Sequence, residues 1–455
     1  MFATSAVIAP RTSTSDRPAS RPPGAISCEP VTPTHALTAV DLFCGAGGLS
    51  QGLSDAGIKV VAAADHDPDA CETYRANFPS TALIEGDLTE PAKHAELLAA
   101  LDDIHLDVLA GGPPCQAYSQ VRNHDRLIDD PRNRLYREFV SLLDEIRPRA
   151  LVLENVLGMN QLKGGAVRRQ IAEDLSLGGD YEVVSGVLDA GDFGTPQRRP
   201  RLVFIGVQRE IGHPVLPIGT GITRVLRNGH SGQPSSTLFD IDRPLHDMLM
   251  DPDDNRAVTV RQALSDLLIP GEEYSCAPQS AFQRTIRQGS RFPQDHVPSR
   301  IREDTRRRLE AIPPGGNVYD LPDHLLKRYL GDAKWGPAGN GERLARRHYY
   351  AYRRLHPDWL AWTANTKADF AYHYETPRGL SVREAARIQG FPDRFHFVTA
   401  PPGTPGQMRN GARHSRYRQV GNAVPPPLAA AIGRTIAEVV RNAVDTTPKL
   451  ASASR

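Results

Sequence analysis

The chain has 455 residues, 40% of them hydrophobic, and a formal net charge of +1 from 54 basic and 53 acidic residues. This length suits two domains or one large domain, and the balanced charge means that any basic surface for a nucleic acid must be local. The cysteines lack CxxC or His-paired spacing, which disfavours a zinc site and a disulfide framework and indicates reduced thiols in a cytosol; they are Cys28, Cys44, Cys71, Cys115 and Cys276.

The two ends of the chain and its hydropathy favour a protein that does not enter a membrane. Residues 1–36 mix Pro, Ser, Thr and Ala without periodicity and lack the basic start and apolar middle of a signal peptide. We expect a disordered tail there and a flexible tail over residues 442–455. No apolar stretch approaches the roughly 18 residues that would span a bilayer.

From about residue 37, short aliphatic runs alternate with helical segments, as in a parallel sheet covered by helices. This alternation stops after about residue 210, and order returns at 380–395 with an amphipathic helix ended by Gly390 and Pro392, followed by an apolar helix after Pro427. The pattern predicts an α/β fold with a doubly wound sheet, an inserted domain and closing helices from the far end. The predicted strands are 37–43, 58–64, 81–84, 106–110, 150–153, 181–188 and 201–207, with helices that include 68–77 and 133–146.

A glycine-rich turn, DLFCGAGGLSQG (41–52), follows the first predicted strand. Its glycines allow a sharp turn and the close approach of a ligand to the start of a helix. Asp65 and Asp87 end the next two strands, and Asp65 stands where an acidic residue binds ribose hydroxyls. The spacing departs from GxGxxG, which disfavours a nicotinamide cofactor and leaves an adenosine-bearing one. The alternative is a plain tight turn with aspartates that cap helices.

A cysteine follows the fourth strand in GGPPCQAYS (111–119). Two prolines stiffen this loop, so it can present the Cys115 thiol at the ligand-binding edge of the sheet, where a following helix would favour the thiolate. A buried structural cysteine is the alternative.

Two further motifs reach the same edge. In ALVLENV (150–156), Glu154 can act as a proton donor, while Asn155 can also cap a helix. In QRRPR (197–201), strand alternation predicts that Arg199 and Arg201 lie on one side, where they can bind a polar substrate unless they are merely solvated.

In this order, the motifs resemble those of the C5-cytosine DNA methyltransferases of bacterial restriction-modification systems. The resemblance is carried by DLFCGAGGLSQG, GGPPCQAYS, ENV, QRRPR, REAARIQGFPDRF and RQVGNAVPPPLA, over about residues 37–210 and 376–440. It implies a Rossmann-like, class I S-adenosylmethionine-dependent methyltransferase fold. The catalytic domain would be 37–210 with 376–441, and a smaller target-recognition domain would be inserted at 211–375.

The resemblance also implies roles for individual residues. Cys115 would add to C6 of a cytosine flipped out of duplex DNA, Glu154 would act at N3, and Arg201, with Arg199 supporting it, would hold O2. S-adenosylmethionine would be the cofactor, held by Phe43, Gly45, Gly47, Gly48, Leu49, Asp65, His66, Asp87, Pro114, Leu135 and Asn422. No metal is expected. A monomer in a bacterial cytoplasm, with a restriction endonuclease acting on the same site, is the implied setting.

The inserted region interleaves arginines with aromatic residues in SRIREDTRRRLE (299–310) and ERLARRHYYAYRRLHPDW (342–359). This composition favours contact with DNA phosphates and bases, while a solvated helix face is the alternative.

Two other functions remain open. A tRNA-cytosine methyltransferase would share the catalytic groups, although the Cys-Phe-Thr signature of that class is missing, and a DNA-binding protein could have lost its activity.

Overall fold

A computed structural model describes residues 36–114, 133–223, 257–332, 350–407 and 412–446. Within these ranges, seven strands form one sheet in the order β3-β2-β1-β4-β5-β7-β6. The strands are β1 (Thr38–Leu42), β2 (Lys59–Asp65), β3 (Ala82–Glu85), β4 (Val108–Gly111), β5 (Ala150–Val156), β6 (Tyr181–Asp189) and β7 (Pro200–Gln208). Neighbouring strands from β3 to β5 pair in parallel, whereas β7 runs antiparallel to both β5 and β6. The predicted mostly parallel α/β sheet is confirmed.

Helices connect these strands and follow them in the chain. Those around the sheet are α1 (Gly48–Asp55), α2 (Pro68–Asn77), α3 (Pro91–Ala100), α4 (Arg134–Ile146), α5 (Gly158–Gln161) and α6 (Ala166–Leu175). The later ones are α7 (Val260–Leu264), α8 (Ala281–Ile286), α9 (Glu303–Ala311), α10 (Asp323–Asp332), α11 (Val382–Gln389), α12 (Ala412–Asn422) and α13 (Pro426–Thr446). None of these helices is long and apolar enough to cross a membrane.

Both faces of the sheet are covered, because successive strand residues point to opposite sides. Val40 and Leu151 pack against α3, α4 and α6 on one face. Ala39 and Val152 pack against α1 and α13 on the other. The sheet is therefore doubly wound, and a helix from the far end of the chain closes it.

Two glycines allow α1 to pack closely on α13 and on the segment just before it. A Cβ added at Gly52 would lie 2.3 Å from the Ala429 Cβ, and one added at Gly48 would lie 2.3 Å from the Val424 carbonyl oxygen. Contacts this short are sterically forbidden, so both positions require glycine.

Helix α11 lies in a second core, away from the sheet. It ends at Gly390, as predicted, where φ is +88°. It has the apolar and polar faces of the predicted amphipathic helix, but the polar face is not solvated, because all eight residues are buried. Arg387 illustrates the reason, since this buried side chain pairs with Asp266 and, at 2.7 Å, with Asp393. The charged positions thus find buried partners instead of solvent.

Candidate active site

The glycine-rich turn begins where β1 ends, and its glycines serve different purposes. Gly45 and Gly47 have φ angles of +54° and +95°, which favour glycine. Among the described residues, no heavy atom lies within 4 Å of a Cβ placed at Gly45. A Cβ at Gly47 would meet the Phe78 ring at 2.4 Å, and Gly48 packs against Ala423 and Val424, just before α13. Only Gly45 therefore leaves open space for a ligand. Leu49, in the first turn of α1, is buried in the core.

Asp65, the last residue of β2, faces this turn. Its carboxylate accepts hydrogen bonds from the backbone N–H groups of Gly45, at 2.8 Å, and Asp67, at 2.9 Å. Burial raises the pKa of Asp65, while these hydrogen bonds oppose the rise. Each carboxylate oxygen has two lone pairs, so Asp65 can still accept from a ligand hydroxyl. The neighbouring His66 is exposed.

Asp87 follows β3 at the same edge of the sheet. It accepts hydrogen bonds from the backbone N–H of Thr89 at 3.0 Å and from the Thr89 hydroxyl at 2.8 Å, and it pairs with Arg134 at 2.9 Å. Partial burial acts in the opposite direction, but these interactions lower the pKa of Asp87. Leu135 follows Arg134 in the first turn of α4. Asp87 and the start of α4 are thereby brought together.

The other predicted cofactor residues lie at ends of elements. Phe43 follows β1 with a φ of +59° and is partly buried. Pro114, after β4, and Asn422, the last residue of α12, are exposed. Because β1 to β4 are neighbouring parallel strands, Phe43, Asp65, Asp87 and Pro114 share the carboxyl edge of the sheet.

Glu154 and Arg201 form an ion pair at this edge. They lie on the adjacent strands β5 and β7, and Glu154 Oε1 is 2.8 Å from Arg201 Nε. The side chains are 11% and 12% exposed. A Cβ added at Gly112 would lie 3.3 Å from Glu154 Oε2, so the glycine leaves room beside the second carboxylate oxygen. Glu154, the predicted proton donor, and Arg201, the arginine predicted to hold the cytosine, are therefore in direct contact.

Asn155 fixes the loop that leaves β4. Its side-chain amide donates to the Pro113 carbonyl oxygen at 2.9 Å, and its own oxygen accepts from the Val156 N–H. Cys115 itself lies outside the described residues. The bond from Asn155 to Pro113 joins segments 42 residues apart, so no local pattern beyond the two motifs indicated it.

Arg199 lies near this pair, but the hydrogen bonds of its side chain are to the protein backbone. Its fully buried guanidinium donates to the carbonyl oxygens of Ala364 at 2.8 Å, Gly421 at 2.6 Å and Ala423 at 3.1 Å. Burial lowers the pKa of Arg199 well below its ordinary value, and the nearby Arg201 acts in the same direction. These bonds position the segments on both sides of Asn422.

Gln197 is a buried site residue that the sequence patterns did not single out. Its amide nitrogen donates to the Ile388 carbonyl oxygen, and its oxygen accepts from the Ala364 N–H, each at 2.9 Å. It therefore connects the entrance of β7 with α11. Its place beside Arg198 and Arg199 in the QRRPR motif was the available signal.

The arginines of the inserted region have two different environments. Arg306 and Arg307, on α9, are exposed and pair with Glu303 at 2.8 and 3.1 Å. Arg353 and Arg354 are 6% and 8% exposed and donate to backbone carbonyl oxygens. The prediction of phosphate contact is therefore wrong for the last two, and residues 342–349 of that stretch lie outside the described residues. In the described ranges, no three His, Cys, Asp or Glu side chains are grouped to hold a metal.

Comparisons with known proteins identify the family of the chain. The profile of the C-5 cytosine-specific DNA methylases matches residues 37–438. Type II methyltransferase M.AgeI of Thalassovita gelatinovora is 32% identical over 90% of this chain and 100% of its own length. Type II methyltransferase M1.HphI of Haemophilus parahaemolyticus is 30% identical over 89% and 88%.

A solved structure is also similar to this chain. It is described as a DNA modification methyltransferase encoded within a prophage of E. coli, and it is 25% identical with a TM-score of 0.53. The match covers 89% of this chain and 99% of that one. The chain therefore belongs to the C-5 cytosine-specific DNA methylase family and is a DNA (cytosine-5)-methyltransferase.

Proposed function

We propose that the chain transfers a methyl group from S-adenosylmethionine to C5 of a flipped-out cytosine in a specific duplex DNA sequence, through a covalent bond between Cys115 and C6. The observation that carries this proposal is the Glu154–Arg201 pair beside Gly112. Three residues after Gly112 the chain reaches Cys115. The acid, the arginine and the thiol would then act on one pyrimidine ring.

The described residues fit S-adenosylmethionine. Gly45 leaves open space at the end of β1, between Phe43 and the carboxylate of Asp65. Asp65 would accept from the ribose hydroxyls, Asp87 would accept from the adenine amino group, and His66 would lie beside the adenine. Phe43 would hold the cofactor together with the glycine-rich turn. The rest of the turn would support the cofactor indirectly, because Gly47, Gly48 and Leu49 pack against the protein and hold the turn in shape. Leu135, Pro114 and Asn422 would complete the pocket.

The bound cofactor would supply an electrophilic methyl group on a sulfonium. The Cys115 thiolate would add to C6, because C5 of cytosine alone is too weak a nucleophile. Glu154 would hydrogen-bond or protonate N3, while Arg201 would hold O2 and stabilise the developing charge. C5 would then attack the methyl group, and the rest of the cofactor would leave as a neutral thioether. Loss of the C5 proton to water and cleavage of the bond between the cysteine sulfur and C6 would release the thiolate. Arg199 would support Arg201 indirectly through the segments that it positions.

A stacked base cannot reach these groups, so the cytosine would be flipped out at a cost of a few kcal/mol. We assign catalysis and cofactor binding to residues 37–210 and 376–441, and target recognition to residues 211–375. We further propose that the chain is a monomer that acts in a bacterial cytoplasm on the site of a cognate restriction endonuclease. Similarity to type II methyltransferases of bacteria supports the bacterial setting.

Methyl transfer tests the proposal directly. The full chain is incubated with radiolabelled S-adenosylmethionine and either duplex DNA or tRNA, as wild type and as Cys115→Ala. Label is expected on DNA with the wild type alone, and label on tRNA alone would refute the DNA assignment. If Cys115→Ala were as active as wild type, the Cys115 thiol would have no part in the mechanism. Sequencing of methylated DNA from a non-methylating host then identifies the site.

A trapping experiment tests the covalent step itself. Duplex DNA with 5-fluorocytosine at the target should form a complex that survives a denaturing gel, because fluorine at C5 cannot leave as a proton. Active enzyme that gives no such complex would argue against the adduct.

A further inference from the structure

A cavity of about 630 Å³ opens between α6 and β6, two strands away from β5, the strand that carries Glu154. It is lined by Arg168 and Arg169 of α6, by Ser185 of β6, by Asn160 and by two glycines that precede α6. The proposed sites for the cofactor and the cytosine use none of these residues. The lining of the cavity is polar and basic.

The cavity lies at the edge of the sheet where β5 ends, because Asn160 in its lining follows Glu154 by only six residues. It opens on the face of the sheet that α6 covers, whereas the Glu154 side chain points to the other face. Ser185 pairs with Phe204 of β7, and Phe204 pairs with Leu153, the residue before Glu154. Since neighbouring strands lie about 4.8 Å apart, the backbone of Ser185 is about 10 Å from that of Leu153. This is the distance of a few nucleotides along one DNA strand, where backbone phosphates are about 3.4 Å apart along the helix axis.

The arginines of the cavity are held in place without an acidic partner. Arg168 donates to the Ser185 hydroxyl at 2.8 Å and to the Ser185 carbonyl oxygen, and it lies 3.3 Å from Asn160 Oδ1. Arg169 is exposed. Across the described ranges, neither guanidinium forms an ion pair, and the first turn of α6 contains no acidic residue.

The carboxylates of the adjoining strands are committed elsewhere. Glu154 pairs with Arg201, Asp189 with Arg198 and Glu182 with His213. Glu173, one turn after Arg169 on α6, is exposed and forms no ion pair with it in the described ranges, so neither arginine of the cavity is paired with a carboxylate. A phosphate matches these arginines, because a guanidinium presents a planar set of donors to phosphate oxygens.

We infer that this cavity binds a backbone phosphate of the duplex next to the flipped cytosine, with Arg169 as its principal charge contact and Arg168 as a fixed second donor. The inference rests on the proposed function and adds a sequence-independent anchor to it. A phosphate contact fixes the register of the protein on DNA without reading a base.

The salt dependence of DNA binding tests this inference. A labelled duplex with the methylated site is titrated with the full chain at several KCl concentrations, as wild type, Arg169→Ala and Arg169→Lys. Loss of one phosphate contact should lower the slope of log K against log salt by about 0.9, which is about eightfold in affinity at 0.1 M. Arg169→Lys keeps the charge and should restore the slope.

Arg209→Ala is the matched control. Arg209 is also exposed, but it follows the other end of β7, where it donates to the Gly179 carbonyl oxygen at 2.9 Å. Its slope should equal that of wild type. The same fall in both alanine variants would overturn the inference, because net charge alone would then explain it.

Two further results separate the possible failures. An enzyme that methylates DNA but whose Arg169→Ala variant keeps the wild-type slope overturns only this inference. A second result would also overturn it. If Arg169→Ala keeps the wild-type slope while sodium phosphate raises the melting temperature of wild type but not of the variant, the cavity binds free phosphate and not DNA. Failure of wild type to methylate duplex DNA would instead refute the proposed function.

Discussion

Glu154 and Arg201 face each other across β5 and β7, with 2.8 Å between Glu154 Oε1 and Arg201 Nε. The arginine thereby orients the carboxyl group and leaves Oε2 on the side of Gly112. A base in this space would meet both groups without rearrangement of either.

Glu154→Gln should lower kcat by about 100-fold to 10,000-fold, the usual contribution of a positioned proton donor. Glutamine keeps the shape of the side chain, so binding of S-adenosylmethionine should be unchanged. Single-turnover methyl transfer and equilibrium cofactor binding measure the two effects. Glu182→Gln is the control. Glu182 lies on β6, away from the reacting groups, and pairs with His213 at 2.7 Å. Equal kcat values for wild type and Glu154→Gln would remove Glu154 from catalysis.

Asp41 should make stability depend on pH. Burial raises its pKa to about 7, although hydrogen bonds from Ser50 oppose the rise. Because the unfolded value is about 4, the folded state binds more protons, and the free energy of unfolding should fall as pH rises from about 4 to about 7. Urea denaturation at pH 5 and pH 8 should show a smaller fall for Asp41→Asn than for wild type. Parallel changes in the two proteins would contradict this expectation.

Gly52→Ala should separate α1 from α13. The new Cβ would lie 2.3 Å from the Ala429 Cβ and 2.5 Å from the Pro426 carbonyl oxygen. Overpacking of this kind costs about 1–3 kcal/mol, which urea denaturation can measure. Gly158→Ala is the control, because no described heavy atom lies within 4 Å of its Cβ position, and its stability should stay within about 0.5 kcal/mol of wild type. Equal losses would show that close packing is not the cause.

Arg354→Ala should destabilise the protein, whereas Arg306→Ala should not. Arg354 donates to the Ile312 and Tyr374 carbonyl oxygens at 2.6 and 2.7 Å, so its removal leaves buried acceptors unpaired. We expect a loss of about 2–4 kcal/mol in urea denaturation. Arg306 is exposed and paired with Glu303, and because such surface pairs contribute little, its variant should unfold at the wild-type urea concentration. If Arg354→Ala weakened DNA binding with unchanged stability, the assignment to the protein interior would fail.

The strands of the sheet could be predicted because each buried parallel strand is a short aliphatic run followed by turn residues. All seven strands lie within two or three residues of their predicted bounds, and α2 has the predicted bounds. Asp67 and Pro68 mark the start of that helix as cap and first residue. The sequence also predicted that Glu154 and Arg201 reach the same edge of the sheet, whereas their direct contact was not predicted.

The buried arginines could not be predicted in the same way. Arg199 donates to the carbonyl oxygen of Gly421, 222 residues away, and Arg354 donates to carbonyl groups of Leu309, Ile312 and Tyr374. A charged side chain is normally solvated, and only the folded backbone shows that enough carbonyl groups converge on it. The role of Cys115 stays a prediction.

The close packing of α13 on α1 has a consequence for biosynthesis. Leu428, Ile432 and Ile436 of this helix cover the face of the sheet that Val152 and Ile205 form. During synthesis on the ribosome, that apolar face stays exposed until α13 leaves the ribosome, which happens only after more than 400 residues have been made. A premature stop before residue 426 would therefore yield an aggregation-prone product for cellular proteases rather than a fragment able to modify a genome.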